Sequence, residues 1–243
     1  MMNEQRNNRG KPIVYPSLIC ADLCNLERDV KVLADIGYTA LHVDIVDGYF
    51  SPSMPMGLEV IRQLRKKTTL PFYTHLMAKA QDFFLEELLD IGIEQLCFHV
   101  ETTHHVDHYL NLLKNHGVRA GLALNPGTTL SVLEYVVEKC DFILLMLINP
   151  GYAHLKNETQ VPYALTKIIK LRRLLDERGL DIPIELDGRI SLDHIVKYHE
   201  AGADIFIGGT TCLFKNGDLV AGKVEIDRVI EKIDCKERLR RNK

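Results

Sequence analysis

A chain of 243 residues, 46% hydrophobic and 26% charged, holds ample material for a large core, and its length suits one α/β barrel or two small domains. A formal net charge of -3, with lysine and arginine dispersed rather than striped among aromatics, gives a nucleic-acid partner no electrostatic support. No apolar run approaches the roughly 18 residues that span a bilayer, and the first ten residues lack a signal peptide's apolar segment, so no membrane partner and a cytoplasmic location are expected.

In chain order, residues 1–11 are polar and expected to be disordered. Short β-branched runs then alternate with longer amphipathic stretches, the mark of repeated βα units around a parallel sheet. The expected strands are 13–18, 40–43, 72–75, 95–100, 119–124, 142–147, 184–186 and 205–207. Between the first two lies a helical pattern with Leu26, Val30, Leu33 and Ile36 on one face at 3.6-residue spacing. Gly37 closes it, and Gly92, Gly117 and Gly202 repeat that punctuation before later strands. Eight such units without a linker favour a closed (β/α)8 TIM barrel over an open sheet, because the first strand gains a partner when the eighth returns to it. The barrel domain is placed at 12–233, with a charged helical tail at 234–243.

The six cysteines, Cys20, Cys24, Cys97, Cys140, Cys212 and Cys235, form no C-x-x-C pair, and four lie in apolar runs. They read as reduced thiols packed as small hydrophobes, which argues against a zinc finger.

In a barrel, chemistry collects at the C-terminal ends of the strands. His42 and Asp44 stand two apart, so an extended strand points both to the same side, in a barrel the lumen or its rim. His75 is expected to end the next strand, and Asp187 the seventh. Each alone is equally well a rim residue satisfied by hydrogen bonds. Four of ligand type at three strand ends favour one divalent metal, Zn2+ as first choice, with Fe2+, Mn2+ or Co2+ as alternatives. Two metal-held carboxylates on facing walls suit proton abstraction beside a carbonyl, with the metal polarising the ketone and stabilising the enediolate. One acid removes the proton and the other returns it from the far face.

A Schiff-base aldolase needs a buried lysine at a strand end, and none of the eight runs ends in one; Lys79 and Lys156 lie elsewhere. The loops after strands seven and eight, Asp187-Gly188-Arg189-Ile190-Ser191 and Gly208-Gly209-Thr210-Thr211, put glycine and hydroxyl residues just ahead of a helix, where backbone N–H groups cradle anions. The long loop 149–160 suggests a lid. Thr102-Thr103-His104-His105-Val106-Asp107-His108 superficially resembles a metal tract, but at a helix start it reads as solvated surface.

Taken in order, Pro16-Ser17-Leu18-Ile19-Cys20-Ala21-Asp22, His42-Val43-Asp44-Ile45-Val46-Asp47-Gly48, His75-Leu76-Met77, Ala123-Leu124-Asn125-Pro126, Asn149-Pro150-Gly151 and Leu186-Asp187-Gly188 resemble the ribulose-phosphate 3-epimerase family, which includes the allulose-6-phosphate 3-epimerases. The resemblance runs through nearly the whole barrel. It implies that His42, Asp44, His75 and Asp187 bind the metal, with Asp44 as general base and Asp187 as general acid, roles that reverse with direction. It also implies that Ser17 touches a substrate hydroxyl, that Met77 and Met146 line the site, and that Gly209 and Thr210 help hold a phosphate. With the loop residues above, the substrate-binding set is Ser17, His75, Met77, Met146, Gly151, Gly188, Arg189, Gly209 and Thr210.

The chain departs from the family's pattern in three places. Tyr152-Ala153-His154-Leu155 stands where a lid of the type Phe-Gly-Gly-Gln is usual, Arg189 replaces a glycine, and Val46 replaces a methionine. The expected activity is metal-dependent 3-epimerisation of a ketose phosphate, ribulose 5-phosphate first and a hexulose 6-phosphate such as allulose 6-phosphate next. The resemblance further implies a homo-oligomer. A non-catalytic sugar-phosphate-binding barrel is the alternative from another class. A lyase or decarboxylase on a related barrel would place a lysine among the strand-end acids, and none is there.

Overall fold

A computed structural model describes residues 10–153, 155 and 157–241, so most of the expected disordered segment, residues 1–9, lies outside the described residues. Eight parallel strands make one sheet: β1 (Ile13–Pro16), β2 (Leu41–Val46), β3 (Phe72–Met77), β4 (Gln95–His99), β5 (Arg119–Leu124), β6 (Phe142–Met146), β7 (Ile184–Asp187) and β8 (Ile205–Gly208). Their order is β1-β8-β7-β6-β5-β4-β3-β2, and a single parallel bridge between Ser17 and His42 brings β1 back to β2. The TIM barrel is thus nearly closed, with its seam beside the residues of interest.

Among the described residues seven α-helices surround the sheet: α1 (Leu26–Asp35), α2 (Leu58–Arg65), α3 (Gln81–Ile91), α4 (Val106–Asn115), α5 (Ala164–Glu177), α6 (Leu192–Ala201) and α7 (Leu219–Arg241). The fifth unit departs from the expected repeat. After β5 the chain makes two 3-10 turns, Leu130–Leu133 and Val137–Lys139, the former opened by Thr129, whose side chain accepts from the Ser131 N–H. The helix α1 buries Leu26, Val30 and Leu33 as its spacing predicts. Gly92 and Gly202 adopt left-handed φ of 85° and 115° at the ends of α3 and α6, turning the chain into the next strand. The boundary drawn at 233 falls inside α7, which runs on to Arg241 and is tied to the barrel's entry by a 3.0 Å Lys11–Asp234 ion pair.

Alternation along the strands separates two cores. Leu41, Val43 and Ile45 of β2, Leu96 and Phe98 of β4, and Ile184 and Leu186 of β7 face the helices in the main hydrophobic cluster. Their neighbours point into the lumen, filled in part by Cys97, Ala123, Phe142, Leu144, Met146 and Ile148. His42 and Asp44, Gln95 and His99, and Glu185 and Asp187 alternate with the outward set, so polar side chains stack in the same interior.

The strand ends differ from expectation in two places. Apolar Ile45-Val46 and Leu76-Met77 prolong β2 and β3, and paired register Asp44↔His75 and Val46↔Met77 continues two residues past the acid and the imidazole. These groups therefore sit inside the strands, one layer deeper than a rim. After β8, the turn beginning at Gly209 is followed by further turns rather than a helix, and α7 starts only at Leu219. The other anion-loop candidate does lead straight into a helix, Ser191 serving as N-cap of α6.

Candidate metal centre

Strand register builds the site. Asp44 and His75 are direct neighbours across β2 and β3, and Asp187 ends β7 opposite Met146. His42 Nε2 lies 3.1 Å from Asp44 Oδ1 and 4.0 Å from Asp187 Oδ2. His75 Nδ1 lies 3.2 Å from Asp44 Oδ1 and 3.6 Å from Asp187 Oδ2. One ligand atom from each of the four falls within 4.8 Å of all the others, and among the described residues this is the group of three or more His, Cys, Asp or Glu that could hold a metal. All four expected ligands are brought together. Among the described residues the Thr102–His108 tract forms no such group.

The electrostatics fit a cation. Burial alone would raise the Asp44 carboxyl, but the adjoining His42 and His75 imidazoles hold it far below the usual carboxylate range. Burial alone would lower His42 and His75, yet both are raised, His42 by Asp44, Glu185 and Asp187 and His75 by Asp187 and Asp44. The acids thus draw positive charge into a dry pocket. Two imidazole nitrogens and two carboxylate oxygens are also a donor set suited to a borderline divalent ion, so these residues fit one. The two acids differ in access: the Asp44 side chain is 3% exposed, while that of Asp187 is 18% exposed toward the mouth.

A second layer supports the first. Ser17 Oγ donates to Asp44 Oδ2 at 2.9 Å. His42 Nδ1 lies 3.3 Å from Glu185 Oε1, whose other oxygen accepts from Gln95 Nε2. His75 Nε2 meets His99 Nε2 at 2.9 Å, and His99 Nδ1 lies 3.0 Å from Glu101 Oε2. His99 is pushed down to about 4, chiefly by burial and by the neighbouring His75. Sequence reasoning missed His99, Glu101 and Glu185, although the signal was present: His99-Val100-Glu101 repeats the His-Val-acid spacing of His42-Val43-Asp44, and Glu185-Leu186-Asp187 has the same period.

The remaining expected residues ring the mouth. Ser17 is buried at the barrel seam, and Met77 and Met146 are the buried last residues of β3 and β6. The loop after β6 reaches both sides of the opening. Ser51, from the loop after β2, donates to Pro150 O at 2.7 Å, and Arg189 Nη2 donates to Ala153 O and Leu155 O at 3.0 and 2.8 Å. Since β2 and β6 lie on opposite sides of the sheet order, this loop crosses the mouth. His154 and Lys156 of the expected lid lie outside the described residues. Arg189 holds φ at 50°, a left-handed value at the place where the family's glycine is usual. Gly188 O and Arg189 O both accept from Gln160 Nε2, while Gly209 packs where a Cβ would sit 3.3 Å from Cys20 Sγ.

A parallel TIM barrel with acids and imidazoles gathered toward the C-terminal end of its lumen is the architecture of a barrel enzyme carrying a candidate divalent-metal centre. Residues 13–213 match the model of the ribulose-phosphate 3-epimerase family. The chain is 36% identical over 226 residues to the ribulose-phosphate 3-epimerase of Buchnera aphidicola subsp. Acyrthosiphon pisum, covering 93% of this chain and 96% of that one. It is 37% identical over 199 residues to the ribulose-phosphate 3-epimerase of Escherichia coli strain K12, covering 82% and 87%. The chain belongs to the ribulose-phosphate 3-epimerase family, a family of isomerases. In fold alone it is also similar to 3-hexulose-6-phosphate synthase from Salmonella typhimurium, with a TM-score of 0.62 at 15% identity over 91% of this chain and 99% of that one.

Proposed function

We propose that this protein is a metal-dependent 3-epimerase interconverting ribulose 5-phosphate and xylulose 5-phosphate by two-base proton transfer. The observation that carries the reading is the approach of Asp44 and Asp187, from β2 and β7, to the same two imidazoles. His42, Asp44, His75 and Asp187 would hold one divalent ion, Zn2+ first and Fe2+, Mn2+ or Co2+ next. When bound, that ion supplies a Lewis acid that polarises the substrate carbonyl and acidifies the neighbouring C–H bond.

The rest of the chemistry belongs to the chain. Asp44 is held ionised and serves as base, removing the C3 proton from one face; Asp187, facing the mouth, delivers a proton to the other. The return reaction exchanges their roles. Ser17 keeps the Asp44 carboxylate in one orientation and stands within the same pocket for a substrate hydroxyl. Met77 and Met146 offer polarisable, proton-inert walls. Gly188, Arg189, Gly209 and Thr210, at the ends of β7 and β8, are the phosphate side, and Gly151 anchors the loop that closes over it. A hexulose 6-phosphate is the second reading, supported by Arg189 and the altered loop it clasps, which reshape the phosphate side while leaving the quartet intact.

The reading covers one catalytic domain over 12–233, acting in the cytoplasm as a homo-oligomer on a small sugar phosphate, with no nucleic-acid or membrane partner. Charge and composition support the last point, and among the described residues no helix is long and apolar enough to cross a membrane. The test is exchange of the C3 proton into deuterated water across C5 and C6 ketose phosphates, with Asp44→Asn and Asp187→Asn as controls. Exchange is expected with ribulose 5-phosphate, lost in both variants by a factor of about 10²–10⁴. Full activity in either variant defeats the two-base mechanism, and no exchange with any ketose phosphate leaves only a binding barrel.

A further inference from the structure

An imidazole ligates through a nitrogen that carries no proton, so a site built on histidine has to fix where each proton sits. His75 turns Nδ1 toward Asp44 and Asp187 and Nε2 away from them, onto His99 Nε2 at 2.9 Å. Two imidazole nitrogens this close share one proton: one donates and the other accepts. What decides between them lies a step further out. His99 Nδ1 is 3.0 Å from Glu101 Oε2, and a carboxylate only accepts.

Glu101 is fixed in that role by its other oxygen. Oε1 accepts from the Asn125 N–H at 2.8 Å and from the Thr128 hydroxyl. The Asn125 and Pro126 carbonyls are themselves held by the Lys167 ammonium at 2.7 and 3.0 Å, so the carboxylate rests on an anchored loop. With its single proton on Nδ1 facing Glu101, His99 presents a bare Nε2. His75 Nε2 must then be the donor, and the lone pair left to His75 is on Nδ1, the nitrogen that faces the two aspartates. His75 and His99 are fully buried, their rings stacked at 5.0 Å, and the Phe50 ring lies 4.7 Å from His99. No bulk water competes for the bond.

We propose that Glu101 and His99 are positioning residues that set the tautomer of His75, Glu101 fixing the proton of His99 on Nδ1 and His99 thereby reserving His75 Nδ1 for the metal. The inference rests on the reading of the quartet as a metal centre and adds to it a reason why the end of β4 carries a His-x-Glu pair. Its consequence is asymmetric: an amide in place of Glu101 can donate to His99 Nδ1, move that proton to Nε2, and push the His75 proton onto Nδ1.

Long-range 1H–15N correlation spectra of the histidine-labelled full chain, metal-free and with Zn2+, read the tautomers directly. His99 is expected to carry its proton on Nδ1 in both states; a proton on Nε2 overturns the proposal without any variant. Zn2+ affinity by chelator competition gives the second readout. Glu101→Gln should weaken it by about 10–100-fold. Thr128→Val, which removes one of the two bonds to the other carboxylate oxygen but leaves the carboxylate facing His99, should weaken it by no more than about fivefold. Equal losses in the two variants, or none in Glu101→Gln, refute the relay. A wild-type chain that binds no Zn2+ would instead defeat the metal reading, while the His99 spectrum still decides the tautomer.

Discussion

Replacing Gly151 by alanine tests whether the loop after β6 is held over the mouth by its contact with the loop after β2. Gly151 adopts φ of 78°, and a Cβ built there would lie 1.5 Å from Ser51 Oγ and 2.8 Å from Ser51 Cβ. The left-handed backbone costs a non-glycine residue roughly 1–2 kcal/mol. The clash cannot be relieved by the serine swinging into water, because Ser51 is 2% exposed and its hydroxyl donates to Pro150 O. Displacing it sacrifices that hydrogen bond, about 1 kcal/mol more. Gly151→Ala should therefore lose about 2–3 kcal/mol in urea denaturation and raise KM for ribulose 5-phosphate more than it lowers kcat. Ser51→Gly makes room for the new methyl group. It should cost about 1 kcal/mol in the wild type and nothing further beside Gly151→Ala, so the two changes couple. Simple additivity in the double-mutant cycle would show that the loops are independent and that the lid argument is wrong.

Gly121→Ala would put a methyl group 2.4–2.7 Å from three atoms of the Phe142 ring inside the lumen, and should cost about 1–3 kcal/mol by urea midpoint, partly recovered by adding Phe142→Leu. Although burial opposes it, bonds from His99, Thr128 and the Asn125 N–H hold Glu101 down at about 2 against an ordinary 4.5. A depressed carboxylate contributes fully above 4.5 and loses its contribution as pH falls through 2; acid unfolding of Glu101→Gln should accordingly be shallower than that of the wild type over this window. Arg189→Gly removes two bonds to the lid while placing glycine at a left-handed φ, so urea stability should stay near wild type as hydrogen exchange in 149–160 speeds up. Zn2+ at about 100 times its Kd should stabilise the fold by about 2.7 kcal/mol, reversed by chelation; no shift in thermal midpoint would count against the metal centre.

The eight strands and the quartet were legible because both rest on short-range pattern. β-branched runs between glycine-closed helices give the barrel, and period-two spacing aims His42 and Asp44 the same way. Strand ends were less legible. Polar residues inside an apolar run read as its edge, but a barrel lumen accepts them once they pair with one another, so β2 and β3 continue through Val46 and Met77. The fifth helix failed for a local reason: Thr129 caps a 3-10 turn and the chain turns again at Val137. His99, Glu101 and Glu185 went unread because their partners are 24–143 positions away or reached through another side chain, as in Glu185 beside His42 and His99 beside His75.

Under the proposed function, depth in the barrel divides the work between catalysis and recognition. His42, Asp44 and His75 lie within the β2–β3 ladder, His99 ends β4 paired with Ala123 of β5, and all four are buried. Such positions hold side chains to fractions of an ångström but cannot change without repacking the lumen. Gly151, Arg189 and Thr210 lie in loops at the mouth, where the backbone tolerates a glycine-to-arginine exchange at φ of 50°. Selection for a different sugar phosphate would therefore act on the loops and leave the strand-borne groups alone. Most of this chain's departures follow that pattern: Tyr152, Ala153, Leu155 and Arg189 fall in loop positions, Val46 is the last residue of β2, and the four expected ligands are retained. Of the quartet, Asp187 alone spans the division, closing β7 with its side chain open to the mouth, so under the proposed function a reshaped loop would reach the chemistry through it.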